Sequence, residues 1–164
     1  KKLTFKWNEP DDDEYDVLKN VEILKISVIS SFDLADKFPN LTKAGVHVKS
    51  NQNNSKLGKF EKLTHLRVGG CIIHDLTVSA STKFIHFYDY SFSDMPNFEQ
   101  FNLNEMELIK CKNVGWLAEF LAKNDTRVKK LTMKSMEMSS KIFMAIGGNW
   151  SKIERIIIED VKFV

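Results

Sequence analysis

All four histidines of this chain occur in its first ninety residues, and three of them, His47, His65 and His86, alternate with or lie near Arg67 and Tyr88. Imidazole nitrogens could ligate a metal ion if folding brought all three rings together. Arginine and aromatic side chains are instead enriched at protein-binding hot spots. Which of these two chemistries the residues can perform depends on the elements that position them.

Motifs of known catalytic chemistry are absent from the sequence. It contains no G-x-S-x-G nucleophile elbow, no P-loop, no H-E-x-x-H zinc motif and no C-x-x-C pair. The two cysteines, Cys71 and Cys111, both follow apolar strand patterns, which predicts buried and reduced thiols. We therefore expect a protein that is not an enzyme and that needs no metal and no cofactor.

The stretch over residues 63–71 shows how the histidines would be positioned. It reads Leu-Thr-His-Leu-Arg-Val-Gly-Gly-Cys, with apolar residues at its first, fourth and sixth positions. Leu66 and Val68 are two residues apart, so on a strand both side chains point into a core. Arg67 then points to the opposite face. Cys71 is expected to turn inward where the strand ends and to donate its S–H to a loop carbonyl.

The same pattern recurs along the chain. Repeats open near Val21, Leu41, Leu63, Thr82, Leu103, Val128 and Ile153. This spacing of about 20 to 25 residues is a period at which short units stack to build a shared core. With a truncated first repeat over 1–8, we predict about eight parallel strands. The acidic run 9–16 and the polar run 51–59 are predicted to be loops.

Two of the returns between strands have apolar residues at helical spacing. The return over 116–123 has apolar residues at 116, 117, 120 and 121, which predicts a short amphipathic helix. The return over 141–146 predicts a second helix, with Ile142, Phe143 and Ile146 on its apolar face. Gly147-Gly148 is expected to end that helix.

The strand over 84–90 permits two registers. Either Ile85 and Phe87 point inward, or Phe84 and Phe87 point inward and Asp89 enters the core. The first register is favoured, because burying an unpaired carboxylate would cost several kcal/mol. A shift of one residue would exchange the two faces of the strand.

The repeats resemble the leucine-rich repeat superfamily over nearly the whole chain. Cysteine at positions 71 and 111, with helical returns towards the C-terminus, is most similar to the intracellular F-box/leucine-rich-repeat proteins. The resemblance implies an α/β solenoid with about eight parallel strands on the concave face, and short helices or irregular turns on the convex face. It also implies a protein-binding adaptor or scaffold, such as the substrate receptor of a ubiquitin ligase.

In such a fold the strand residues that do not face the core line the concave surface. The predicted partner-binding residues are His47, His65, Arg67, Phe84, His86, Tyr88, Glu105 and Glu107. Aromatic side chains would fill pockets of a protein or peptide partner, and Arg67 would pair with a carboxylate. A shallow depression is expected between Gly45 and Gly69. A metal site on the histidines is disfavoured, because their offsets along the strands differ and no carboxylate is expected close in register.

Charged residues divide this predicted surface into two parts. Glu105 and Glu107 form an acidic step, and the basic half consists of Lys2, Lys6, Lys25, Lys43 and Arg67. This division could orient a charged partner. Over the whole chain, 24 basic and 22 acidic residues leave a formal charge of +2. That balance does not favour nucleic acid as a partner.

Length and composition predict one soluble domain over 1–164, with 43% hydrophobic and 28% charged residues. The chain begins Lys1-Lys2 rather than with methionine, so we expect either this domain alone or a fragment of a longer chain. The apolar runs are far shorter than the about 18 to 20 residues of a membrane span, and no signal peptide is recognised. We therefore expect no membrane association and an intracellular location, in the cytoplasm or nucleus.

Two alternatives remain open. N-x-S/T matches occur at Asn40, Asn53, Asn124 and Asn149, which is the pattern of glycosylated loops in a secreted recognition protein. The chain could also be a structural segment of a larger solenoid, whose end strands dock on further repeats.

Overall fold

The computed structural model describes residues 2–5, 22–26, 38–48, 61–70, 76–100, 102–123 and 125–164. In chain order the strands are β1 (Lys2–Phe5), β2 (Ile23–Ile26), β3 (Lys43–Val48), β4 (His65–Gly70), β5 (Thr77–Val78), β6 (Phe84–Tyr88), β7 (Asn97–Phe98), β8 (Asn102–Ile109), β9 (Arg127–Met138) and β10 (Arg155–Phe163). The helices are α1 (Trp116–Ala122) and α2 (Ser140–Gly148), and a 3-10 turn covers Trp150–Lys152. The predictions for Cys71, Lys6 and the loops 9–16 and 51–59 lie outside the described residues.

Eight of the described strands form one sheet in the order β1-β2-β3-β4-β6-β8-β9-β10. All seven pairings between neighbours in this sheet are parallel. Parallel neighbours cannot be joined by a tight hairpin, so the chain crosses back between one strand and the next. The predicted α/β class with a parallel sheet is confirmed.

The register aligns the apolar positions of successive strands in two inward rows. The first row contains Leu24, Ala44, Leu66, Ile85, Met106 and Leu131, and each is at most 5% exposed. The second row, two residues further along each strand, contains Val46, Val68, Phe87, Leu108 and Met133. Burying each large side chain contributes about 1.5 to 3 kcal/mol. Ile85 and Phe87 thus point inward as predicted, and Asp89 is exposed.

Aromatic side chains from the returns pack over these inward rows. The Phe92 ring lies edge-on to Phe87 at 4.9 Å and to Trp116 at 5.0 Å between ring centroids. Phe98, at the end of β7, packs against Phe120 of α1, with 4.6 Å between their ring centroids. A short parallel pair of β5 and β7 lies in this layer. The core therefore lies between the large sheet and the returns.

Both predicted helices are present. α1 buries the four predicted apolar residues, Trp116, Leu117, Phe120 and Leu121. α2 buries Ile142 and Ile146, but Phe143 is 53% exposed. The expectation that Phe143 belongs to the buried face was wrong, because α2 covers a narrower stripe than α1 and only Ile142 and Ile146, which are one turn apart, lie within it.

The end of α2 also differs from the prediction. Gly147 and Gly148 are part of the helix rather than its stop. The side-chain amide of Asn149 donates a 2.8 Å hydrogen bond to the Ala145 carbonyl. This bond satisfies a carbonyl group of the last turn. The helix therefore continues through both glycines, although glycine has a low helix propensity, and Asn149 caps it.

A column of left-handed residues crosses the sheet: at the end of β4, directly after β6 and β8, and within β9 and β10. Positive φ values of 93°, 49°, 52°, 51° and 52° occur at Gly70, Asp89, Lys110, Ser135 and Asp160. After the bends at Asp89, Lys110 and Ser135, the next residue, which is Tyr90, Cys111 or Met136, is buried. Cys111, after Lys110, is 2% exposed, and its Sγ donates to the Phe87 carbonyl at 3.5 Å. Cys111 thus turns inward and donates its S–H, as predicted for the repeat cysteine, but the acceptors are the strand carbonyls of Phe87 and Ile109 rather than a loop carbonyl.

Threonines at the starts of the strands help to set the register. Thr42 Oγ1 donates to the Glu22 carbonyl at 3.1 Å, and Thr64 Oγ1 donates to the Thr42 carbonyl at 2.9 Å. Buried Thr82 makes the equivalent bond to the Leu63 carbonyl at 3.0 Å. Each bond joins one repeat to the one before it, so neighbouring strands begin at matching positions.

Candidate binding site

The outward side chains of the sheet form three rows, which together we call the outer face. The first row contains Lys43, His65, Phe84, Glu105 and Lys130; the second contains Gly45, Arg67, His86, Glu107 and Thr132; the third contains His47, Gly69, Tyr88, Ile109 and Lys134. The structure places all the predicted partner-binding residues on this face. Because neighbouring strands lie about 4.8 Å apart, residues some twenty positions apart in sequence contact each other here.

Tyr88 bridges two strands of the third row. Its hydroxyl lies 2.9 Å from His47 Nδ1, and the two rings are stacked with centroids 5.6 Å apart. Gly69 lies between them in the row, and a Cβ at this position would lie 2.3 Å from Tyr88 Cε1. Arg67 Cζ lies 4.6 Å from the Tyr88 ring centroid, in a cation–π contact. Glycine at position 69 therefore gives Tyr88 the space to reach His47.

The surface around Gly45 is open by contrast. A Cβ here would meet only Lys25 Cγ at 3.6 Å and the Leu24 carbonyl oxygen at 3.9 Å. The outer face forms a depression of about 210 Å³ around this glycine. The predicted depression is confirmed at Gly45 and wrong at Gly69, where the Tyr88 ring occupies the space.

His65 and Phe84 form a second pair in the first row. Their rings are stacked with centroids 4.2 Å apart and an interplanar angle of 9°. His65 Nδ1 also lies 2.8 Å from Thr64 Oγ1. Burial lowers the pKa of His65, and the nearby charges of Lys43 and His86 lower it further. The neutral ring is therefore the form that this neighbourhood favours.

His86 contacts the two glutamates of the outer face. Its Nδ1 lies 3.2 Å from Glu107 Oε2, and its Nε2 lies 4.0 Å from Glu105 Oε1. Lys130 Nζ donates to Glu105 Oε1 at 2.7 Å. The expectation that no carboxylate lies close to the histidines in register was wrong, because Glu107 pairs directly with His86. The acidic step thus lies next to the ammonium group of Lys130 and the imidazole ring of His86.

The structure separates the predicted residues into three contact groups rather than one. His47, Arg67 and Tyr88 form the first, His65 and Phe84 the second, and His86 with Glu105 and Glu107 the third. The three histidines thus belong to different groups. Among the described residues, no group of three or more His, Cys, Asp or Glu side chains could hold a metal ion.

Comparisons with protein-family models, with curated proteins and with solved structures found no match. A functional assignment must therefore rest on the geometry of the chain itself. In the part of the chain that the structure describes, no helix is both long enough and apolar enough to cross a membrane.

Two residues of the outer face were not among the predicted partner-binding residues. Lys130 lies beside Glu105, a position that follows from the repeat spacing. Thr132 is only 1% exposed despite its outward position, and its hydroxyl has no hydrogen-bond partner among the described residues. Neither residue has a side chain of the aromatic or arginine type that indicates a hot spot.

The cysteine that the structure describes is poorly suited to nucleophilic chemistry. Burial raises the pKa of the Cys111 thiol to about 11. A thiol with this pKa is protonated at neutral pH, and the thiolate is the nucleophilic form. Cys111 is therefore a packing residue of the strand end.

Proposed function

We propose that this chain is a leucine-rich-repeat solenoid of the intracellular, cysteine-containing type, and that it binds a protein or peptide on its outer face without catalysing a reaction. In support of this, the strands of the large sheet follow one another in chain order with all pairings parallel. The left-handed bends recur at one position of the repeat, and Cys111 makes the hydrogen bonds expected of a repeat cysteine.

The observation that carries the binding proposal is the fixed arrangement of hot-spot residue types on the outer face. Arg67 contacts the Tyr88 ring, Tyr88 is hydrogen-bonded to His47, and Phe84 is stacked on His65. Side chains that are already ordered lose less conformational entropy when a partner binds. An adaptor or the substrate receptor of a ubiquitin ligase would use such a preformed surface.

The test is affinity capture from the native cell with this chain as bait. The variant Arg67→Glu with Phe84→Ala should lose the captured partner and keep its fold, because both side chains lie on the surface of the sheet. The matched control is Lys112→Glu with Phe143→Ala, two exposed positions outside the outer face. A partner that both variants retain equally would contradict the proposal.

A second candidate function is that of a structural segment within a larger stack of repeats. The observation that favours it is the apolar surface at β10. Ile158, Phe163 and Val164 are 38%, 59% and 64% exposed, whereas Met133, the partner of Ile158 on β9, is fully buried. A further parallel strand would cover this edge.

This second candidate makes a separate prediction. A longer native protein should carry more repeats after Val164, and amide exchange in β10 should be slower in it than in the present chain. A native protein that ends at Val164 and stays monomeric at high concentration would contradict this candidate. It would leave the binding proposal for the outer face intact.

A further inference from the structure

The depression around Gly45 has the size of a subsite rather than of a complete ligand pocket. Its volume of about 210 Å³ is below the about 300 to 1,000 Å³ of pockets that hold drug-sized ligands. Gly45 forms its floor, and its row neighbours Lys25 and Arg67 stand on either side. Ile23 and Phe84 add apolar walls. This space suits one apolar side chain of a larger partner.

The rim of the depression is cationic. Lys25, Lys43 and Arg67 are exposed and line it. Within the described residues, none of these three forms an ion pair with a carboxylate of the chain itself. The rim therefore offers three ammonium or guanidinium groups to a bound molecule.

The carboxylates of the outer face are already engaged. Glu105 accepts from Lys130 at 2.7 Å, and Glu107 lies 3.2 Å from His86. Both lie on β8, beyond β6, and so at a distance from the rim. Burial is the main cause of the lowered pKa of His65, and the positive charge of Lys43 at the rim lowers it further. The end of the outer face on β2, β3 and β4, where Lys25, Lys43 and Arg67 lie, is therefore the end that can attract an anion.

We propose that the partner presents an acidic peptide segment with one apolar side chain. The apolar side chain enters the depression at Gly45, and flanking carboxylates pair with Lys25, Lys43 and Arg67. This inference rests on the proposed function and narrows the class of partner.

A nucleic acid fits the same surface less well. A longer polyanion that continued across β8 would meet the negative charges of Glu105 and Glu107. Single-stranded nucleic acid also needs free aromatic faces on which bases stack. Phe84 is already stacked on His65, and Tyr88 is flanked by His47 and Arg67. A short acidic peptide avoids both difficulties.

The test is a selection of random displayed peptides on the folded chain, followed by affinity measurements on synthetic copies labelled with fluorescein. We expect the enriched peptides to be acidic with one apolar residue. Lys25→Glu with Lys43→Glu should weaken their binding at least about tenfold, because two exposed ion pairs are replaced by repulsion. Gly45→Leu, which fills the depression without changing the charge, should weaken it as well. The control is Lys112→Glu with Lys141→Glu, which has the same net charge change at exposed positions elsewhere.

The possible outcomes separate this inference from the proposed function. Enrichment of neutral or basic peptides whose binding is lost in Arg67→Glu with Phe84→Ala would overturn the acidic class and leave peptide binding in place. Peptides that tolerate every substitution on the outer face would overturn both proposals. Tighter binding of an oligothymidine probe than of any peptide, lost in the double lysine variant, would replace the peptide with nucleic acid. Circular dichroism of each variant verifies that the fold is retained.

Discussion

The close packing of Tyr88 on Gly69 predicts that alanine at position 69 destabilises the folded chain. In Gly69→Ala the new Cβ would lie 2.3 Å from Tyr88 Cε1 and Cζ and 2.7 Å from Cε2. Carbon atoms pack best at about 3.5 to 4.0 Å, so the ring must move by more than about 1 Å. The 2.9 Å bond between Tyr88 and His47 would then exceed hydrogen-bonding distance. The contact of Arg67 with the ring would be lost at the same time.

The expected magnitude follows from the interactions that are lost. The hydrogen bond has a net value of about 0.5 to 1.5 kcal/mol, and an exposed cation–π contact about 0.5 to 1 kcal/mol. Replacing a strand glycine by alanine restores about 0.5 to 1 kcal/mol through the unfolded chain. Gly45→Ala has only this gain, because its Cβ meets nothing closer than 3.6 Å. The two alanine variants should therefore differ in unfolding free energy by about 1 to 2.5 kcal/mol.

Urea denaturation followed by circular dichroism measures this difference, with Gly45→Ala as the more stable variant. The second arm places Gly69→Ala in a Tyr88→Ala background. Without the ring the clash is absent, so Gly69→Ala should there be neutral or stabilising. Equal stability of the two single variants would refute the reasoning. So would a penalty at position 69 that persists after the Tyr88 ring is removed.

Three further predictions concern stability, pH and thiol reactivity. Met133→Ala should cost about 2 to 5 kcal/mol of unfolding free energy, since Met133 is fully buried. The control Met144→Ala, at a site that is 74% exposed, should change the unfolding free energy by no more than about 0.5 kcal/mol. Equal urea midpoints of the two variants would contradict this prediction. Because the folded chain lowers the pKa of His65, it disfavours the protonated ring, so stability should fall as the pH drops below the usual histidine value of about 6.5. His65→Gln should reduce that fall in urea titrations between pH 7.5 and 5.5, and an unchanged slope would count against the assignment. In a Cys71→Ser background, iodoacetamide at pH 8 should modify Cys111 slowly in the folded chain and rapidly in urea, because burial raises the pKa of this thiol to about 11. Equal modification rates in the two conditions, measured by mass spectrometry, would contradict this prediction.

The sheet was predictable because few arrangements satisfy the apolar spacing. Ile85 and Phe87 had to face inward, since the alternative buried Asp89, and the structure has this register. The parallel order followed from the repeat period. About a dozen or more residues are needed for the return between two parallel strands, and the repeats have that length, whereas a tight hairpin would need only about two. Helix details were less predictable. Phe143 is apolar and adjacent to buried Ile142, but which face of α2 is covered depends on what packs against it.

The contacts on the outer face were predictable only in part. His86 and Glu107 directly follow the aligned core residues Ile85 and Met106, so the repeat spacing already implies that they are neighbours. The lean of Tyr88 over Gly69 depends on a side-chain rotamer and on the next strand, and spacing alone contains neither. Residue type indicated which outward positions could bind a partner. Which of these side chains contact one another could be read only from the alignment of neighbouring strands.

The parallel register explains why single glycines have such different effects on this surface. In a row of aligned strands every outward side chain has one neighbour on each side, about 4.8 Å away. A glycine leaves a gap that either stays open or is filled by a neighbour. Gly45 is flanked by Lys25 and Arg67, whose charges repel each other and favour solvent, so its gap stays open. Gly69 is flanked by His47 and Tyr88, which can hydrogen-bond, so its gap is bridged. The chemistry of the neighbours, rather than the glycine itself, therefore decides where the outer face offers a cavity to a partner.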